Sequence, residues 1–94
     1  MGRAEYKIAG GKLVRVQLVT KVGEIEEIRI TGDFFLHPEE LIEELEKTLV
    51  GQPLSETDLA EFIRKFLKAR EATLFGVSPE DFARCIMRAA EKNG

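Results

Sequence analysis

Asp33 and His37 are the two side chains in this 94-residue chain whose types and spacing suit acid–base chemistry. They stand four residues apart across the junction between an extended segment and a helical one, and a carboxylate beside an imidazole can pass a proton near neutral pH. No nucleophile accompanies them. The plainer reading makes Asp33 an acceptor of backbone N–H bonds at the turn before a helix. Lys7 and Lys12, with Arg15, gather around Gly10-Gly11. A glycine pair lets backbone bend or approach a neighbour closely, and lysines there can meet an anion or an acidic partner. The plainer reading is a strand-entry turn with a solvated strand face. Gly10-Gly11-Lys12 lacks the spacing and the following helix of a nucleotide phosphate loop.

The remaining chemistry-bearing residues read as structure. Cys85 is the only cysteine and His37 the only histidine, too few ligands for zinc and too few thiols for an internal disulfide. Flanked by Phe82, Ile86 and Ala89, Cys85 reads as a small core residue rather than a nucleophile. Glu39, Glu40, Glu43, Glu44 and Glu46 form an acidic helix face, read as solvated, with no second element to complete a metal site. Phe34 and Phe35 follow Asp33. Neighbours in an extended segment point opposite ways, so one can enter the core while the other faces outward as an anchor for a partner protein. The alternative tucks both under helices.

The elements that must position these residues follow from periodicity. Residues 1–4 read as a loose end and 5–8 as a short strand. Leu13 to Thr20 alternates, with Val14, Val16 and Leu18 on one face and Arg15 and Gln17 on the other. Lys21-Val22-Gly23-Glu24 is a hairpin loop, and Ile25 to Thr31 returns with Ile28 and Ile30 inward. Ile25 is out of phase and starts the strand or marks a bulge.

Three helix starts share one recipe: an apolar residue before the cap, another at the fourth helical position, and acidic residues in the first turn. They are Leu36-His37-Pro38-Glu39-Glu40-Leu41, Leu54-Ser55-Glu56-Thr57-Asp58-Leu59 and Val77-Ser78-Pro79-Glu80-Asp81-Phe82. Proline suits the first helical position; Ser55 and Ser78 are good caps and His37 a poor one. The helices run over Pro38–Leu49, Glu56–Arg70 and Pro79–Glu91, each with an apolar stripe. Gly51 is a C-terminal cap, and Gly51-Gln52-Pro53 and Leu74-Phe75-Gly76 are inter-helix turns. The expected fold is α+β: one domain over residues 1–94, a small antiparallel sheet of two to three strands packed on one face by about three helices.

Charge and length limit the functions open to such a domain. Residues 1–31 hold six Lys/Arg against four Asp/Glu, a net of +2; residues 32–94 hold eight against thirteen, a net of −5. The acidic balance argues against non-specific nucleic-acid binding. No apolar run approaches the roughly 18 residues of a membrane helix, and no secretory signal opens the chain, so the expectation is a cytoplasmic protein with no membrane partner. One Asn and two Gln among many Glu and Lys is a thermophile-like bias.

The order of parts carries a resemblance. Tyr6-Lys7-Ile8-Ala9-Gly10-Gly11-Lys12 feeds a hairpin whose second strand ends in Thr31-Gly32-Asp33-Phe34-Phe35-Leu36-His37-Pro38. This resembles the accessory domain of lipoate–protein ligases, found as the C-terminal part of the ligase chain or, in archaeal-type enzymes, as a separate small subunit. Residues 74–88 are similar to the tail of the stand-alone subunits. In that family the ligase activates lipoate with ATP as lipoyl-adenylate, then transfers the lipoyl group to a lysine of a carrier domain. The carriers are 2-oxoacid dehydrogenase acyltransferase subunits and the glycine-cleavage H protein. The catalytic domain carries an Arg-Arg…Gly-Gly-Gly motif and an essential lysine, and this chain has no such motif. The resemblance therefore implies an accessory subunit that binds the large catalytic subunit and enables adenylation. The complex would use ATP, magnesium and lipoate, with no cofactor bound by this chain alone and no catalytic residue of its own. The implied interface or site-closing residues are Lys7, Gly10, Gly11, Lys12, Gly32, Asp33, Phe34, Phe35 and His37, with Pro38 also matching the pattern. Two alternatives compete: an unrelated interaction module using the sheet face and the Phe34–Phe35 loop, and a small enzyme using Asp33 and His37 in one pocket.

Overall fold

Alternating apolar and polar side chains build the centre of the molecule. In the computed structural model, which describes residues 1–8, 10 and 12–91, Val14, Val16 and Leu18 are buried while Arg15 and Gln17 are exposed. They belong to β2 (Leu13–Lys21), the middle strand of an antiparallel sheet between β1 (Gly2–Lys7) and β3 (Glu24–Gly32). Ile25, Ile28 and Ile30 are all buried although their spacing breaks alternation. The register shifts opposite Val19/Thr20, where Val19 faces Glu27 and Thr20 faces Ile25, so a bulge absorbs the extra residue.

The strand at the N-terminus corrects the expected loose end. Gly2 pairs with Leu18 and the ladder runs to Lys7 opposite Leu13. Its inward residues Gly2 and Ala4 are too small to give a periodic apolar signal, yet their size lets a helix approach closely. That helix is α3 (Pro79–Glu91), whose buried Cys85 lies 3.6 Å from the Ala4 carbonyl oxygen and 3.5 Å from that of Val14.

Helices α2 (Glu56–Ala69) and α3 start where the caps predict. Ser55 Oγ accepts from the Asp58 N–H at 3.5 Å. Ser78 and Asp81 form a reciprocal box: Asp81 Oδ2 accepts from the Ser78 N–H at 2.9 Å and Ser78 Oγ from the Asp81 N–H at 3.2 Å. Phe82, Cys85, Ile86 and Ala89 of α3, and Leu59, Ile63, Phe66 and Leu67 of α2, share one core with the sheet. Burying a side chain such as Phe82 stabilises the fold by roughly 1.5–3 kcal/mol.

The first helix departs from expectation. It spans Leu41–Leu49 (α1), not Pro38–Leu49, and Glu40 at its cap makes no side-chain cap bond. Phe35–His37 instead forms a strand, β4, paired antiparallel with β5 (Thr73–Phe75), a segment expected to be a turn. The residue before proline favours extended backbone, which suits His37 to the end of a strand. The His37–Pro38 bond is cis. Two residues of the acidic face also hold bonds: Glu46 Oε2 accepts the Ile30 N–H at 2.7 Å, blocking the β3 edge, and Glu44 pairs with Arg70 at 2.9 Å. The loop after α1 closes the same edge, with the Gly51 N–H on the Ile25 oxygen (2.8 Å) and the Ile25 N–H on that of Gln52 (3.1 Å). The architecture is α+β, with helices on one face of the three-stranded sheet and a second, two-stranded sheet at one end.

Candidate functional site

Three strand ends meet at the edge of the main sheet: β1 leaves at Lys7, β2 enters at Leu13 and β3 leaves at Gly32. Asp33 ties this end together. Its Oδ1 accepts the Leu13 N–H at 2.6 Å, and its own N–H donates to the Leu13 oxygen at 3.2 Å. Asp33 is thus a backbone-binding carboxylate, but its donor lies 20 residues back rather than in the turn before the helix. Only glycine fits just before it: Gly32 has φ +155°, and a Cβ there would stand 2.2 Å from the Leu13 oxygen.

Past this joint the chain enters the two-stranded sheet, and alternation separates the two phenylalanines. Phe34 turns inward, edge-on to Phe82 with ring centroids 5.1 Å apart. Phe35 turns outward and is 50% exposed. On the facing strand Phe75, 65% exposed, pairs directly with Phe35, their rings 6.1 Å apart. His37 lies on the same outer face, its ring parallel to that of Phe35 at 6.2 Å. Two exposed aromatics and an imidazole therefore share one outer face as an aromatic platform, backed by the inward Leu36 and Leu74.

The basic residues border this end. Lys7 is exposed at the end of β1. Lys12 is exposed too, and its backbone is fixed by the Ile8 N–H on its oxygen at 2.8 Å. Neither lysine has an ion-pair partner among the described residues. Gly10 sits at φ +101° with open space around it, so it serves the bend and not a close approach. Gly11 lies outside the described residues.

Asp33 and His37 are not brought together as an acid–base pair. The Asp33 carboxylate is committed to Leu13, the His37 ring lies along Phe35, and no hydrogen bond or ion pair joins them among the described residues. The hollows lined by Glu43 and Glu46 on one flank, and by Arg3, Arg15 and Arg29 on the open sheet face, include neither. No group of three His, Cys, Asp or Glu comes together as a metal site among the described residues, and no helix there is long and apolar enough to cross a membrane. Sequence reasoning missed Phe75 and Gly76. The available signal was Thr73-Leu74-Phe75, a strand-prone triplet between two helices.

Comparison with known proteins points one way. Residues 3–86 match the family described as "Bacterial lipoate protein ligase C-terminus". The chain is similar to lipoate-protein ligase A subunit 2 of Thermoplasma acidophilum, 38% identical over 74 residues, which cover 79% of this chain and 76% of that protein. It is also similar to a chain in the solved structure of an archaeal lipoylation system, "a bi-partite lipoate protein ligase and its E2 lipoyl domain" from the same organism. There the TM-score is 0.77 and the identity 33%, over 89% of this chain and 91% of that one.

Proposed function

We propose that this chain, which belongs to the lipoate protein ligase C-terminal family, is the small subunit of a two-subunit lipoate–protein ligase. In this reading it docks on a large catalytic subunit and enables the adenylation step. There a lipoate carboxylate oxygen attacks the α-phosphorus of ATP, a mixed anhydride forms, and the bond to pyrophosphate breaks. The large subunit supplies the reacting groups and, with magnesium, the sites for ATP and lipoate. The lipoyl group then passes to a carrier lysine, as on an E2 lipoyl domain, and AMP leaves.

The match to the ligase family carries this reading, and the geometry that supports docking is the aromatic platform of Phe35, Phe75 and His37 beside Lys12, which has no ion-pair partner among the described residues. Exposed aromatics backed by a rigid strand pair are the usual anchors of a protein interface. The family-matching residues Lys7, Gly10, Lys12, Gly32, Asp33, Phe34 and Phe35 lie at this same end. Some are outward contacts and others, Gly32, Asp33 and Phe34, hold the platform in place. An apolar face closing over the catalytic site would keep water from a labile acyl-adenylate.

The test is pyrophosphate release from ATP and lipoate by the large subunit, with and without this chain. Release that requires both proteins supports the reading. Equal release without this chain overturns it.

A further inference from the structure

The stem of Lys12 lies across Gly76. A Cβ placed on Gly76 would stand 3.1 Å from Lys12 Cγ and 3.3 Å from both Cδ and Cε, and Gly76 has φ +92°. The lysine methylenes occupy the space that a larger residue would need. Both sides of this contact are anchored. Lys12 is held by the Ile8 N–H and precedes Leu13, which is locked to Asp33. Gly76 directly follows Phe75, which is paired with Phe35. The stem packs on one side against Gly76 while the side chain stays exposed. That contact narrows the directions open to the lysine. Arg15, Arg64, Arg70 and Arg84 all have carboxylate partners, whereas Lys12 has none among the described residues. The Asp33 Oδ1 next to it in the fold accepts from Leu13.

We infer that Gly76 is a positioning residue that seats Lys12, and that the ammonium so held meets a phosphate of the nucleotide in the assembled ligase. This rests on the reading of the chain as the ligase's small subunit. A lysine ammonium is a compact charge with three donors, suited to phosphate oxygens that need no planar fork. Adenylation brings a triphosphate to the complex, so a cation held beside the docking platform contributes to binding the nucleotide, an effect read in the ATP KM. A carboxylate of the large subunit is the competing anion, and the two have different kinetic consequences.

The experiment uses the assembled two-subunit enzyme and follows pyrophosphate release against ATP and lipoate concentration. Lys12→Ala is expected to raise the ATP KM about tenfold or more, the effect of losing one hydrogen bond to a charged group. The lipoate KM and the subunit Kd stay unchanged, and Lys12→Arg restores most of the loss. Gly76→Ala shifts the ATP KM in the same direction, and adds nothing when Lys12 is already Ala. Lys12→Met keeps the stem on Gly76 without the charge and matches Lys12→Ala, so the ammonium is tested even where the Gly76 variant folds poorly. An ATP KM unmoved by Lys12→Met, or a weaker subunit Kd at constant ATP KM, overturns the phosphate contact. A Gly76→Ala effect that persists undiminished in the Lys12→Ala background overturns the seating role. A wild-type chain that fails to stimulate release at all defeats the small-subunit reading itself, a different result from either.

Discussion

At the scale of single residues, Cys85 shows what close packing does to a titratable group. Burial pushes its thiol up from 9.0 to about 11, because the thiolate would lose its hydration. A raised pKa means the folded chain holds the proton more tightly than the unfolded one. The stabilisation is complete below about pH 9 and is lost as pH rises from about 9 through about 11. Melts from pH 7 to 11 are expected to show a steeper alkaline loss of stability in the wild type than in Cys85→Ala, and parallel curves would contradict this. Thiol labelling at pH 8 should be far slower in the folded chain than in denaturant. The core role of Cys85 was legible from its position among Phe82, Ile86 and Ala89 in a helical stripe. Glu44 shifts the other way: the Arg70 hydrogen bond holds it below the usual carboxylate range. Its partner, 26 residues away, could not be read from the acidic helix face on which it stands.

At the scale of elements, the hairpin between β2 and β3 turns through Val22 at φ +52° and Gly23 at φ +77°. A two-residue loop with both φ positive favours Asn-Gly, while a β-branched residue is strained there. Val22 is 93% exposed and has no packing to lose. Val22→Asn is therefore expected to stabilise the fold by about 1 kcal/mol, a rise in Tm of about 4–8 °C for a domain this size. A thermal melt decides it, and an unchanged or lower Tm would show that the turn carries no strain. The starts of α2 and α3 were legible because cap and acceptor lie within one turn, as Ser78 and Asp81 do. The start of α1 was not. Leu36-His37-Pro38-Glu39-Glu40 has the local signals of a helix start, but His37 is claimed by pairing with Thr73, and the helix begins only at Leu41.

At the scale of the whole molecule, the positions of opposite charge and of exposed aromatics divide the surface. The open sheet face carries Arg3, Lys7, Arg15 and Arg29 against Glu5 and Glu27, while the helical side is acidic. The aromatic platform lies at the end between them. Replacing both anchors, Phe35→Ser with Phe75→Ser, removes exposed surface and leaves the core intact. The Tm is expected to fall by no more than about 4–8 °C, since two exposed substitutions cost about 0.5 kcal/mol each. Association with the large subunit should weaken tenfold or more, the scale of interface anchors. Calorimetric titration measures it, and an unchanged Kd would place the docking surface elsewhere. Composition and local spacing by themselves determined the α+β class, the β2–β3 hairpin, and helices α2 and α3. Each of those is settled by neighbours a few residues away, through alternation, a cap or a turn. Tertiary structure alone decided that the first strand, expected over residues 5–8, begins at Gly2, that Phe35 meets Phe75, that Asp33 holds Leu13, and that Gly76 lies under Lys12. Those contacts join positions tens of residues apart, so each forms only after the chain has closed on itself. The residues involved, a glycine, an alanine and a three-residue strand, carry too little local preference to announce it.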